Sequence, residues 1–298
     1  MAAQSLSNVR RSIAVRLAVL LAACCTAAPA DQVLYRGKSR FNDIIVTQDD
    51  QGMRTLYFEF GGARQSVVKV GDPEHLELAY ARTAMSALAL CPKPERILVV
   101  GLGGGTIPMF LRKQLPKTHI DAVEIDPEVI SVAKRFFGFR EDERMKAYAA
   151  DGRRYIEQTR LRYDIVFLDA FGADNVPYDL ATVEFLRAVR AILTPRGLAV
   201  ANIWSRDSNP LYDSMVRTYQ EAFDSLYIVK APYTANRILL ALPRRENISR
   251  ADMVRRASAI AATHRFRFDL GSIIEDGFAE APPKDPSARI LRDRNKPR

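Results

Sequence analysis

The sequence predicts an α/β protein, a doubly wound and mainly parallel sheet preceded by a small antiparallel β module. Three observations carry this reading. After Pro94, apolar runs of strand length alternate with amphipathic runs of helical spacing across short loops. The first such run, "RILVV", is nearly unbroken apolar sequence, as in strands covered on both faces. Gly101, Gly103 and Gly105 follow it at the turn into a helix.

The elements follow in order. Between residues 33 and 72, "DIIVTQDD", "MRTLYFEF" and "RQSVVKV" alternate with period two and are separated by Gln51-Gly52 and Gly61-Gly62, so they read as antiparallel strands. The 73–280 region forms the main domain. Its first segment, "PEHLELAYARTAMSALAL", has one apolar face at helical spacing and predicts a single helix. Strands are then expected at "RILVV", "HIDAVEID", "RMKAYAAD", "YDIVFLDAF" and "LAVANIW". Helices are expected at "IPMFLRKQL", "PEVISVAKRFF", "GRRYIEQT" and "ATVEFLRAVRAIL". A helix near "YDSMVRTYQEAF" and strands at "LYIVKA" and "NRILLALP" complete the domain. Residues 281–298 are rich in Pro and Arg and predict a loose basic tail.

Residues 1–30 read as a signal peptide or lipoprotein leader. Arg10 and Arg11 supply a positive start, "LAVLLAACC" a short apolar stretch, and "APA" a small-x-small cleavage site. "LAAC", ending at Cys24, resembles a lipobox, and "VRRSIA" resembles a twin-arginine signal. The expectation is export or membrane association through the N-terminus, and a cytoplasmic location if the leader stays unprocessed.

Composition narrows the function classes. With 48% hydrophobic residues in 298, the chain can bury a core. Much of the net charge of +9 lies at the two ends and no basic motif carries interleaved aromatics, which argues against nucleic acid as a partner. The three cysteines form no CxxC pair and the three histidines are scattered, so neither a metal site nor a His-based triad is expected. Cys91 reads as a small buried side chain.

In a doubly wound sheet the ligand lies beyond the carboxyl ends of the strands. The glycines let the backbone turn sharply and approach that ligand. A dinucleotide loop would place its third glycine at position 106, where this chain has Thr. Glu124 closes the second strand, 23 residues after Gly101. An ionised carboxylate only accepts hydrogen bonds, and a ribose offers two hydroxyl donors, so Glu124 suits a ribose. Asp126 follows in the same loop and is grouped with the nucleoside ligands. Asp151-Gly152 ends the third strand, in position for an adenine amino group, and Asp169 ends the fourth. Three strand-end acids beside a glycine turn predict a nucleoside site without a pyrophosphate. S-adenosylmethionine and its decarboxylated form fit that description.

In "VVGLGGGT", "VEIDPEVI", "ADGRRYI" and "YDIVFLDAF", taken in this order, with Gln65-Ser66 and the helix around Tyr80 before them, the sequence resembles the spermidine/spermine synthase (polyamine aminopropyltransferase) family of the methyltransferase-like Rossmann superfamily. The likeness spans roughly residues 39–245. It implies aminopropyl transfer from decarboxylated S-adenosylmethionine to an amine such as putrescine, with release of methylthioadenosine. It further implies Glu124 on the ribose, Asp151 and Gly152 on the adenine, and Asp169 as acceptor of the amine proton. Asn42, Gln65, Tyr80, Asp174 and Tyr178 are the implied acceptor-side residues. Because family members often form dimers or tetramers, a homo-oligomer is the implied assembly.

The acceptor side departs from the family pattern. Gly104 stands where the family glycine loop carries an Asp, and Arg82 where Tyr-His-Glu ends in Glu. The family D-x-x-D-P has become Asp169-Ala170-Phe171-Gly172-Ala173, with Asp174 next. Each charge-assisted bond lost from a diamine costs roughly 1.5–3 kcal/mol, so weak or absent turnover of putrescine is expected. Two alternatives stand beside aminopropyl transfer: methyl transfer from S-adenosylmethionine itself, and a non-catalytic nucleoside-binding role.

Overall fold

The computed structural model describes residues 31–170 and 176–296, so the leader and Asp174 lie outside the described residues. Four strands, β1 (Gln32–Lys38), β2 (Asp43–Gln48), β3 (Met53–Tyr57) and β4 (Arg64–Lys69), form an antiparallel sheet in sequential order. The module therefore has one strand more than the three runs singled out from the sequence. Ile44, Val46, Leu56 and Val68 point to its covered face.

The main sheet has eight strands: β5 (Arg96–Val100), β6 (His119–Glu124), β7 (Met145–Ala149), β8 (Tyr163–Leu168), β9 (Leu193–Trp204), β10 (Ser225–Lys230), β11 (Asn236–Leu242) and β12 (Phe278–Glu280). Their order is β12-β10-β11-β9-β8-β5-β6-β7. β7 through β9 pair in parallel, while β11 runs antiparallel to both β9 and β10. β5 has β6 on one side and β8 on the other, so the winding reverses beside Gly101. That reversal opens the crevice in which such sheets hold ligands.

Apolar layers cover both faces. Helices Thr106–Gln114, Arg250–His264 and Leu270–Gly277 pack on one face, and Val183–Ile192 and Tyr212–Ala222 on the other. Helix Pro127–Phe136 joins the two sheets. Its Ile130 and Ala133 face the main core, and its Val129 and Val132 face the N-terminal sheet. The spacing of three within each pair, offset by one, gives this short helix two apolar stripes.

Three features differ from the sequence reading. The helix expected over 73–90 is two short helices, Ala79–Ala84 and Ala87–Leu90. Leu78 is extended, and Met85 and Ser86 bond three residues back, which tightens and ends the first turn. Helices Arg250–His264 and Leu270–Gly277 were not anticipated, since Met253, Ala257 and Ile260 make only a narrow stripe in an Ala- and Arg-rich run. The basic tail is docked rather than loose. Leu291 is buried, its N–H donates to Thr218 Oγ1, and its carbonyl accepts from Val183. Asp293 pairs with Arg153, and Lys296 with Asp179.

Candidate active site

A cavity of about 920 Å³ opens at the carboxyl ends of β5, β6, β8 and β9, bounded on one side by the N-terminal sheet. Its floor is the glycine turn. Gly101 has φ of 96°, and a Cβ there would come 2.3 Å from the Asp169 carbonyl oxygen, so only glycine lets the ends of β5 and β8 meet. Gly105 also has positive φ and serves as the N-cap of helix Thr106–Gln114, but it lies behind the cavity wall.

Glu124 is buried at the end of β6. The Leu102 N–H donates to its Oε2 at 2.9 Å and the Asp126 N–H to its Oε1 at 3.1 Å. Burial pushes its pKa up, and these backbone donors oppose the shift. Each oxygen keeps a lone pair for a ligand hydroxyl, and the carboxylate is fixed in place beforehand. Asp151 caps helix Gly152–Gln158 by accepting from the Arg154 N–H at 3.0 Å, and both Asp151 and Gly152 line the cavity.

Asp169 follows the end of β8 in the cavity wall. It keeps partial access to the cavity but is otherwise enclosed, and desolvation raises its pKa to about 7. Asn202 donates to its Oδ1 at 3.0 Å, and Tyr80 faces the same carboxylate; both partly offset the rise. Burial and the neighbouring Asp169 charge in turn push the Tyr80 hydroxyl well above its ordinary range. Asn236 donates to Asn202 Oδ1 at 2.9 Å, so an amide chain runs from β11 through β9 to the acid at the end of β8. A carboxyl that titrates near neutrality can accept a proton from an amine and release it to water.

The structure brings Gly101, Gly103, Glu124, Asp151, Gly152 and Asp169 to one cavity, together with Asn42, Gln65 and Tyr80. It does not bring Gly105, Asp126 or Tyr178 there. The nucleoside role read for Asp126 is corrected: its side chain accepts from the Glu128 N–H and from Ser39 Oγ, capping helix Pro127–Phe136 and tying it to the N-terminal module. The acceptor-side role read for Tyr178 is corrected too, because its hydroxyl donates to the Arg292 carbonyl in the docked tail. Pro177, Asp179 and Leu180 of the same segment do reach the cavity. Asn202 and Asn236 were missed. Their signal was a polar residue at the rim end of an otherwise apolar strand. Gly104 does not line the cavity, and a Cβ there would sit 3.0 Å from both Phe137 and Ser66 Oγ, so the turn has no ready room for an acid. Among the described residues no group of three or more His, Cys, Asp or Glu gathers to hold a metal.

Fold and site together define a transferase of the methyltransferase-like α/β class. Residues 77–235 match the family model of the spermine/spermidine synthase domain. A polyamine aminopropyltransferase from Vibrio vulnificus is 36% identical over 217 residues, 70% of this chain and 72% of that protein. The chain therefore belongs to the spermine/spermidine synthase family. The human eEF1A lysine and N-terminal methyltransferase is 33% identical over 214 residues, 65% of this chain, but the match spans only 30% of that protein. A spermidine synthase in complex with the transition-state analogue AdoDATO shares the fold, with a TM-score of 0.64 at 20% identity over 83% of this chain and 85% of its own.

Proposed function

We propose that the chain transfers an aminopropyl group from decarboxylated S-adenosylmethionine to an amine, with Asp169 accepting the amine proton. The single observation that carries this reading is the enclosed Asp169 carboxyl, raised to about 7 in the cavity wall. The neutral amine attacks the carbon next to the sulfonium, the C–N bond forms as the C–S bond breaks, and methylthioadenosine leaves uncharged. The proton lost by nitrogen passes to Asp169. Glu124 takes the ribose hydroxyls and Asp151-Gly152 the adenine edge, which fixes the reacting carbon. Asn202 holds the Asp169 carboxylate in one orientation.

The test incubates purified protein with the decarboxylated nucleoside and a panel of amines and follows methylthioadenosine. Release that depends on one of the amines supports the reading, and no release with any amine rejects it. A second reading, methyl transfer from S-adenosylmethionine, draws on the acid-free turn at Gly104 and the likeness to a methyltransferase. Methylated product from the parent nucleoside would support it instead. The leader carries a separate proposal, export or anchoring through the N-terminus. A reporter fused after Ala30 should fractionate outside the cytoplasm, and a wholly cytoplasmic reporter rejects that proposal.

A further inference from the structure

We propose that Arg82 anchors a carboxylate carried by one of the small molecules that meet in the cavity. Arg82 lies on helix Ala79–Ala84, two residues after Tyr80, and lines the same cavity as Asp169 and Gly101. Its Nη2 donates to the Glu77 carbonyl at 2.6 Å. Its Nε is buried and has no hydrogen-bond partner. No carboxylate among the described residues pairs with its guanidinium, although seventeen ion pairs form elsewhere.

The other charged groups of the cavity wall are differently placed. Arg153 is held by Asp293 and Glu157, and the Glu77 carboxylate is engaged by His75. Arg64 and Arg154 are exposed to solvent, which screens them. Arg82 alone among these cations is half-buried with a donor unused.

A guanidinium withdrawn from water without an anion is unfavourable, and losing one partner of a buried pair is strongly destabilising. Its planar fork matches a carboxylate in two parallel bonds. A ligand carboxylate that meets the guanidinium from the cavity supplies the missing anion and neutralises the charge. A second cation in that place, such as the far ammonium of a diamine, meets repulsion. Two sources of the carboxylate share this chemistry: the amino-acid end of an intact sulfonium nucleoside, and an acceptor that bears a carboxyl beside its amine. The inference rests on the nucleoside site proposed above and adds a requirement on what accompanies the nucleoside.

Calorimetry on the full chain separates the sources and tests the claim. The donor arm compares S-adenosylmethionine with its decarboxylated form, which differ by one carboxylate. The acceptor arm compares ornithine with putrescine, which differ in the same way, in the presence of methylthioadenosine. In at least one arm the wild type should favour the carboxylate-bearing ligand by about tenfold or more. Arg82→Gln should abolish that preference, Arg82→Lys should keep part of it, and Arg82→Glu should reverse it. Methylthioadenosine affinity, unchanged across the variants, reports that each is folded. The proposal is overturned if neither pair is discriminated by the wild type, or if discrimination survives Arg82→Gln. Failure of methylthioadenosine and both nucleosides to bind the wild type overturns the nucleoside reading instead, and the acceptor arm on the free protein then still decides the role of Arg82.

Discussion

The two halves of the cavity are built on different principles. In the half proposed to hold the nucleoside, acids are held by main-chain groups: Glu124 by the N–H groups of Leu102 and Asp126, Asp151 by the helix it caps. In the acceptor half, side chains hold side chains: Asn236 orients Asn202, Asn202 orients Asp169, and Arg82 waits with an unused donor. A main-chain cradle persists as long as the fold does. A side-chain relay can change by single substitutions without moving a strand. One fold can thus keep its co-substrate while its acceptor drifts.

The sharpest way to break this contrast is Asp169→Asn. Turnover should fall by roughly 10²–10⁴-fold, the usual range for a general base, while calorimetry shows methylthioadenosine affinity nearly unchanged. Loss of nucleoside binding as well would mean that the two halves are not separable. Next in size is Glu124→Ala, which removes the proposed ribose acceptors. Methylthioadenosine binding should weaken about 10–100-fold, measured by titration calorimetry.

A smaller effect concerns pH. With Asp169 as the proposed base, acting in its ionised form, the rate should climb as pH passes through about 7. Asn202 lowers that pKa, and Asn202→Ala should move the rising limb of the pH–rate profile to higher pH. The same shift has a sign for stability. The folded pKa lies above the unfolded value, so the folded state binds the proton more tightly. The stabilising effect of the bound proton is complete below the ordinary carboxylate range and is lost as pH rises through about 7. Asp169→Asn should therefore raise the melting temperature at pH 8 relative to wild type and leave it nearly level at pH 4. An equal change at both pH values would show that desolvation of the charged form is not what raises the pKa. The smallest effect is expected at Asp126, where replacement by Ala removes a helix cap worth about 1 kcal/mol and should leave nucleoside affinity alone. Chemical denaturation and calorimetry on that one variant check both parts.

The strand-end acids were legible because each follows a run of strand character, and the parallel order fixes which rim such residues share. Asp126 was misread although it sits in "IDPEV", where an Asp before Pro and three residues before Val129 marks a helix start as well as a ligand loop. Asn202 and Asn236 escaped notice because nothing local pairs residues that far apart; the antiparallel register of β9 and β11 does. The tail was judged by its Pro and Arg content, which hid the apolar pair Ile290-Leu291 that docks it. Arg82 was visible in sequence as a cation, but its unpaired Nε is a fact of packing alone.

The chain has a single tryptophan, Trp204, and it stands in the cavity wall at the end of β9. Its indole emission is therefore an unlabelled optical probe of occupancy. A purine ring or a bulky acceptor settling nearby would alter the quantum yield or wavelength, so stopped-flow mixing could time arrival and departure of each reactant in the native polypeptide.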